Sequence, residues 1–254
     1  KSTTAVNLTL ALQAEGARVG LLDADIYGPS QALMLGVQGQ RPETPDGKSF
    51  NPVIAHGIPA MSMAFLLTER SPTIWRGPMG SRAFTQMLRQ RNWGNLDYLV
   101  IDLPPGTGDI QLTLSQQVPV NGAVVVTTPQ DIALLDARRG IEMFRRVEVP
   151  VLGVIENMSL HRCSKCGHTE HLFGEGGGDR IAAEYDTELL GALPLDLSIR
   201  QQTDIGKPSV ISDPDGMIAQ SYRDIARRTA ARLALFAERN GSSNLITKTQ
   251  GTDE

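Results

Sequence analysis

The chain has 254 residues, of which 41% are hydrophobic, so it can bury the core of one large domain or two small ones. Its net charge of −4 and its aromatic content of 5% argue against binding of nucleic acid through bulk charge or base stacking. No apolar run approaches the roughly 20 residues that a membrane-spanning helix needs. We therefore expect neither a nucleic-acid partner nor a membrane partner.

The first residues, KSTTAVNLTLAL, combine a lysine and hydroxyl side chains with the apolar pattern of a helix that Gly16 can end. In a P-loop, a glycine-rich turn holds phosphates at a helix N-terminus, a lysine contacts the β- and γ-phosphates, and a hydroxyl binds Mg²⁺. We interpret Lys1 and Ser2 as the end of such a loop whose glycines precede this sequence, and we expect a chain without those glycines to bind nucleotide poorly. Taken alone, the same residues are also typical of an ordinary capped helix.

Continuous apolar runs alternate with helical patterns along the rest of the chain, which is typical of a parallel sheet with helices on both faces. The predicted strands lie in ARVGLLDAD, DYLVIDLPPGTGD, GAVVVTTPQ, PVLGVIENMS and TELLGALPLD. Predicted helices cover 81–91, 131–146 and 178–185, and residues 36–60 predict short strands or loops. A last helix precedes a polar stretch, so we expect one α/β domain over 1–238 and a disordered tail at 239–254.

Polar side chains follow several of these strands, and the carboxyl edge of the sheet, where they would meet, is where ligands bind in this architecture. They are Asp23, Asp25, Asp102, Thr127, Thr128 and Asn157. Asp102 closes an apolar strand in the manner of a Walker-B carboxylate that holds Mg²⁺. A carboxylate such as Asp25 could orient the attacking water near a γ-phosphate. A single acid at a strand end is about as often a turn residue, so the argument depends on several such positions together.

The two cysteines, Cys163 and Cys166, form one C-x-x-C pair in HRCSKCGHTEH. Thiolates are soft ligands for zinc and for iron–sulfur clusters, and the positive charges of Arg162 and Lys165 would help to keep these sulfurs ionised. The glycine-rich stretch FGEGGGDR that follows predicts a flexible connector into a helix capped near Asp179.

Three hypotheses for the cysteine pair remain open at this point. The pair could supply half of a cluster site that a second subunit completes, because two thiolates are half of the usual four ligands. Alternatively, Cys163 and Cys166 could bind zinc with His168 and His171, although this spacing is much tighter than that of usual zinc fingers. A redox disulfide is the third hypothesis, and no thioredoxin-like pattern accompanies it.

Several stretches together resemble the Mrp/ApbC family of ATP-binding iron–sulfur cluster carriers, which belong to the MinD/ParA-like class of P-loop NTPases. They are KSTTAVNLTLAL, DADIYGPS, DYLVIDLPPGTGD, TTPQDIALLDARRGIEMF and GVIENMS with CSKCGH and FGEGGG, and they span roughly 1–230. The resemblance implies the MinD/ParA-like fold, slow ATP hydrolysis that switches a homodimer, and a [4Fe–4S] cluster shared between two subunits. Its implied partners are iron–sulfur apoproteins and scaffold proteins, in the bacterial cytoplasm or alternatively in a mitochondrion.

The resemblance also implies a role for each matched residue around Mg²⁺ and ATP. Lys1 would contact the β- and γ-phosphates, Ser2 would bind Mg²⁺, and Thr3 would contact the α-phosphate. Asp25 would position the hydrolytic water, and Asp102 would hold Mg²⁺ through a water molecule.

The same resemblance assigns the adenine edge and the cluster to later residues. Asn157 would contact the adenine, and Cys163 and Cys166, in a cysteine-bearing loop at 157–180, would bind the cluster. The alternative function is a ParA/MinD-like switch or scaffold with a structural zinc at the two cysteines.

Overall fold

The structure, a computed structural model, describes residues 1–25, 27–44, 49–65, 87, 92–106, 118 and 120–239. The helices are α1 (Ser2–Ala14), α2 (Gln31–Met34), α3 (Asp131–Arg146), α4 (Gly177–Glu184), α5 (Leu197–Asp204), α6 (Ser209–Ser212) and α7 (Met217–Arg239), with a 3₁₀ turn at Met63–Phe65. The strands are β1 (Val19–Asp23), β2 (Val53–Ala55), β3 (Ile58–Ser62), β4 (Tyr98–Asp102), β5 (Ala123–Thr127), β6 (Val151–Glu156), β7 (His161–Arg162), β8 (Thr169–Glu170) and β9 (Leu189–Ala192). The predicted helix at 81–91, apart from Met87, and the predicted tail from residue 240 onwards lie outside the described residues.

Parallel pairing dominates the sheets, as the sequence predicts. The described strands form one sheet in the order β2-β3-β1-β4, in which β1 is parallel to both β3 and β4 and β2 is an antiparallel edge strand. In a second group, β6 lies between β5 and β9 and is parallel to both. The prediction of short strands in 36–60 is confirmed, and β3 extends that region into the parallel sheet. A separate antiparallel hairpin, β7–β8, carries the cysteines.

Helices cover both faces of the sheet, and β6 shows this directly. Successive side chains of a strand point to opposite faces. Val154 packs in a cluster with Leu134 and Ile141 of α3 and Ile181 of α4. Its neighbour Ile155 packs in the large core that also contains side chains of α1, β1 and α7. The α/β architecture with helices on both faces is therefore confirmed.

Burial on both faces explains why β1 and β6 are continuous apolar runs. Every residue of β1 is buried, and five of the six residues of β6 are buried. A strand of this kind cannot alternate apolar and polar residues, because neither of its faces meets water. Among the described helices, none combines the length and the apolar character needed to cross a membrane.

Candidate nucleotide and cluster sites

Three buried polar side chains stand side by side where β3, β1 and β4 end. Asp23 is in register with Ser62 of β3 on one side and with Asp102 of β4 on the other. The backbone N–H of Ala24 donates to the carbonyl oxygen of Asp102 over 2.9 Å, which extends the pairing past the strand end. The predicted meeting of acids at the carboxyl edge is therefore present for Asp23 and Asp102.

The side chain of Asp23 accepts four hydrogen bonds at this edge of the sheet. Its Oδ2 accepts hydrogen bonds from the backbone N–H groups of Ser30 (3.0 Å) and Gln31 (3.1 Å) and from the hydroxyl of Ser62 (2.9 Å). Its Oδ1 accepts from the backbone N–H of Asp25 over 3.1 Å. These four bonds tie the loop after β1 and the start of α2 to the sheet.

Gln31 connects this cluster to the start of α1. Its side-chain Nε2 donates to Oδ2 of Asp102 over 2.8 Å and to the carbonyl oxygen of Ser2 over 3.0 Å. The NH₂ group of one side chain thus joins Asp102 to the backbone of Ser2, two residues predicted to hold Mg²⁺. Lys1 is the exposed N-cap of α1, and Thr3 is half-buried in its first turn.

Asp25 lies just beyond β1 and is half-buried. Its Oδ1 accepts hydrogen bonds from the backbone N–H groups of Tyr27 (3.1 Å) and Gly28 (3.0 Å). Its carboxylate therefore holds a tight turn, which is the ordinary structural use of an aspartate at such a position. The hydrogen bond from its backbone N–H to Asp23 places Asp25 next to the buried acids.

The environment of Asp23 favours its protonated form. Burial away from water raises the pKa of this carboxyl to about 6, the charge of Asp102 adds to the rise, and the hydrogen bonds it accepts oppose it. Because the pKa in the folded protein exceeds the ordinary value of 3.8, the folded state binds the proton more tightly than the unfolded chain. The contribution of Asp23 to stability therefore falls as pH rises from about 4 to about 6 and stays low above that range.

Asp23→Asn is expected to remove this pH dependence. Two pKa units correspond to about 3 kcal/mol, so wild type should gain up to about that much relative to the variant between pH 7 and pH 4. The measurement is urea unfolding of both proteins across this range, with a chelator and without nucleotide. A constant difference between the two proteins at all pH values would contradict the assignment of a raised pKa to Asp23.

Asn157 follows β6 and lies beside the end of β5. Its backbone N–H donates to the carbonyl oxygen of Thr127 over 2.7 Å, and its Oδ1 accepts from the backbone N–H of Met158 over 3.0 Å. In the part of the chain that the structure describes, no hydrogen bond links Asn157 to the cluster around Asp23. The predicted strand-exit residues therefore form two groups, one at β1 and β4 and one at β5 and β6.

The two cysteines lie at the tip of the β7–β8 hairpin. The backbone N–H of Cys163 donates to the carbonyl oxygen of His168 (2.8 Å), and the N–H of Gly167 donates to the carbonyl oxygen of Cys163 (2.9 Å). Gly167 has a φ of +73°, a conformation that a side chain would strain. Both thiols are free; Cys163 is half-buried and Cys166 is exposed.

The turn between the cysteines activates one of the sulfurs. The pKa of the Cys163 thiol is lowered because the backbone N–H groups of Cys166 and then Lys165 donate to its sulfur, with a further contribution from the Cys166 thiol. We expected the charged side chains of Arg162 and Lys165 to do this, but Lys165 acts through its backbone. The hairpin thus places two thiols side by side and favours the thiolate that metals bind.

The histidines do not complete a metal site with the cysteines. Nδ1 of His171 is 2.7 Å from the carbonyl oxygen of Ser159, and Nδ1 of His161 is 3.1 Å from that of Leu195. Across the described ranges, no three side chains of the His, Cys, Asp or Glu type are grouped so that they could hold a metal ion. The single-chain zinc hypothesis with His168 and His171 therefore lacks its third and fourth ligands.

The end of the glycine-rich stretch is packed because it forms the start of α4, whereas Gly174 and Glu175 before it are exposed. Gly177 and Gly178 are buried, and Oε2 of buried Glu156 accepts from the N–H of Gly178 over 2.6 Å. A Cβ at Gly177 would lie 2.7 Å from the carbonyl oxygen of Pro129. The helix begins at Gly177 with Gly176 as its N-cap, so Asp179 lies in the first turn and is not the capping residue.

This packing fixes the cysteine-bearing segment to the strand exits at both ends. Before the hairpin, the backbone N–H of Ser159 donates to the carbonyl oxygen of Leu193 over 2.9 Å. After it, His171 contacts Ser159, and Gly178 contacts Glu156, the residue that precedes Asn157. The segment is thus fastened to the end of β6, where the predicted adenine-contacting residue lies.

A profile of the family described as NUBPL iron-transfer P-loop NTPase matches residues 1–230. The chain belongs to this family. The match covers both the cluster around Asp23 and the cysteine hairpin.

Several relatives of the chain have names that agree with this family. The iron-sulfur cluster carrier protein of Pseudomonas fragi is 62% identical over 227 residues, which are 89% of this chain and 79% of the relative. The carrier protein of Escherichia coli K12 is 58% identical over 92% of this chain, which spans 63% of that relative's length. The mouse iron-sulfur cluster transfer protein NUBPL is 51% identical over 92% of this chain and 73% of its own. The predicted Mrp/ApbC resemblance is confirmed.

Solved structures confirm the MinD/ParA-like fold of the chain. A nucleotide-binding protein from Archaeoglobus fulgidus in complex with ADP is 33% identical, with a TM-score of 0.74 over 87% of this chain and 86% of that one. The septum site-determining protein MinD from Pyrococcus horikoshii, complexed with Mg-ADP, is 21% identical, with a TM-score of 0.69 over 93% of both chains. The second likeness concerns the fold alone.

The sequence did not predict two residues that contact these sites. Gln31 lies in a segment without a clear apolar pattern, so nothing marks it in the sequence. Glu156 directly precedes Asn157, which was predicted. A signal existed for Glu156, because a carboxylate at a buried strand end needs a donor and a glycine run with free N–H groups follows. No comparable signal pointed to Gln31.

Proposed function

We propose that the protein binds and slowly hydrolyses ATP, and that it carries a [4Fe–4S] cluster, held between two copies of the chain, to iron–sulfur apoproteins. Residues 1–238 act as one ATPase domain, in which 157–180 is the cysteine-bearing segment. The cluster is cargo, received from scaffold proteins and passed on.

The observation that carries this proposal is the pair of thiols at the hairpin tip. Cys163 and Cys166 converge through backbone geometry, one of them is exposed, and the thiol of Cys163 is activated. Two thiolates leave two positions of a [4Fe–4S] cluster to be filled, and no third ligand accompanies them among the described residues. A second copy of the same hairpin supplies the missing pair.

The buried acids support the nucleotide half of the proposal. Asp23 and Asp102 are buried side by side, and no lysine or arginine in the described ranges forms an ion pair with either. Buried carboxylates without a cation are costly, and oxygen ligands are those that Mg²⁺ prefers. The hydroxyl of Ser2 and the carboxylate of Asp102 would hold Mg²⁺, which supplies charge neutralisation for the phosphates when bound.

The proposal gives the remaining roles to four further residues. Lys1, exposed at the start of α1, would reach the β- and γ-phosphates, and Thr3 would contact the α-phosphate. Asp25 would orient the attacking water from the loop after β1, and Asn157 would contact the adenine edge from the end of β6. The similar protein from Archaeoglobus fulgidus was solved in complex with ADP, which supports nucleotide binding by this chain.

A structural change caused by nucleotide binding would be transmitted to the cysteines through the end of β6. Asn157 and Glu156 are adjacent in the chain, and Glu156 holds the N–H of Gly178 beyond the cysteine hairpin. A change at the adenine-contacting residue therefore shifts the segment that carries the thiols. This arrangement supports a switch that alters how the cluster is held in the dimer.

ATP is expected to change the rate of cluster transfer. Full-length protein is loaded with cluster under anaerobic conditions and mixed with an apoprotein, with ATP and Mg²⁺, with ADP, or without nucleotide. Because coupling between two sites is typically 1–3 kcal/mol, we expect the rates to differ by about fivefold or more. Equal rates in all three mixtures would contradict the coupling and leave cluster carriage standing.

A further inference from the structure

Gln31 contacts both residues that are predicted to hold Mg²⁺. Its backbone N–H donates to Asp23, and its side-chain Nε2 donates both to Asp102 and to the carbonyl oxygen of Ser2. The side chain is buried, with only 1% of the residue exposed. One amide group thus lies between the two residues that the proposed function gives to Mg²⁺.

The orientation of this amide follows from its neighbours. Both the carboxylate of Asp102 and the carbonyl of Ser2 are acceptors, so the NH₂ group has to face them. The other end of the amide, Oε1, is buried and has no hydrogen-bond partner in the described part of the protein. A buried acceptor without a donor is unfavourable, so this atom is poised for a donor that arrives with a ligand.

Water bound to Mg²⁺ is such a donor. Mg²⁺ keeps several water molecules when it binds with phosphates, and these waters offer hydrogen atoms but no free lone pair toward the protein. We propose that Gln31 is a positioning residue for magnesium: its Oε1 accepts a hydrogen bond from a metal-bound water, while Nε2 holds Asp102 and Ser2 in place. This inference rests on the proposed nucleotide site and names a residue that no assignment above includes.

The test is the Mg²⁺ dependence of nucleotide binding. Binding of a fluorescent ADP to full-length protein is titrated with Mg²⁺ and is also measured in excess chelator. The variants are Gln31→Met, which removes both ends of the amide, and Gln31→Glu, which loses the NH₂ group but keeps an acceptor oxygen. Gln13→Met is the matched control, because Gln13 donates to the carbonyl oxygen of His56 over 3.2 Å toward the other end of α1.

We expect Gln31→Met to raise the Mg²⁺ concentration at half-saturation about tenfold, with binding in chelator unchanged. Gln31→Glu and Gln13→Met should need at most about threefold more Mg²⁺ than wild type, since each keeps an acceptor for the bound water. The inference would be wrong if both Gln31 variants raised the Mg²⁺ concentration at half-saturation equally. It would also be wrong if Gln31→Met weakened ADP binding equally with and without Mg²⁺, because Gln31 would then have only a structural role. If Gln31→Met does not fold, a rise of about tenfold in Gln31→Glu overturns it and a rise of at most about threefold supports it. Wild-type protein that binds ADP identically with and without Mg²⁺ would instead contradict the proposed nucleotide site.

Discussion

Cys163→Ser and Cys166→Ser are each expected to reduce the bound iron and sulfide to background. A serine hydroxyl is a poor ligand for a cluster that needs thiolates, and each chain contributes only two of them. Wild-type protein reconstituted under anaerobic conditions should hold about four irons per dimer, and each variant close to none. The measurement is chemical analysis of iron and sulfide, together with the visible absorbance of the cluster.

The matched control for the cysteines is the double variant His168→Asn and His171→Asn. It removes the two histidines of the single-chain zinc hypothesis and leaves both thiols in the hairpin. We expect its iron and sulfide content to equal that of wild type. Loss of metal from this control, with zinc and not iron in the wild-type protein, would favour the structural-zinc switch.

Asp102→Asn is expected to lower the ATPase rate about a hundredfold or more, because a metal ion contributes several kcal/mol of charge stabilisation and each 1.4 kcal/mol is a factor of ten. The asparagine keeps an oxygen for the hydrogen bond from Gln31, so the fold around the site should persist. The measurement is phosphate release by the full-length protein at saturating ATP and Mg²⁺.

Asp97→Asn provides the control on the same strand. Asp97 directly precedes β4 at its other end and forms an exposed ion pair with Arg18 at 2.6 Å. Such surface pairs contribute little, so the ATPase rate should stay within about twofold of wild type. If Asp102→Asn behaved like Asp97→Asn, the account of Asp102 as the residue that holds Mg²⁺ would be wrong.

The acidic residues at strand ends and the cysteine pair could be predicted from the sequence. Asp23 and Asp102 follow runs that are apolar because both sheet faces are covered, and parallel strands bring such ends to one edge. The C-x-x-C spacing likewise predicts converging thiols at any turn. In each case a local pattern alone determines where the side chain lies.

The residues that depend on contacts between distant segments could not be predicted. Gln31 matters because it touches residues 29 and 71 positions away, and nothing in its own segment indicates that. The packed glycines are a similar case, since Gly177 lies against Pro129 and Gly178 against Glu156 only in the folded chain. A glycine run is typical of flexible connectors and of close packing alike, so the sequence does not distinguish the two.

The central claim is that one cluster joins two copies of the chain through four thiolates. Native mass spectrometry of the full-length protein, purified without oxygen, tests it most directly, because it reports subunit number and bound metal together. The account predicts a dimer whose excess mass equals one Fe₄S₄ unit, and which separates into monomers when the cluster is removed or Cys166 is replaced by serine. A monomer that holds one zinc ion, or a complete cluster on a single chain, would contradict it.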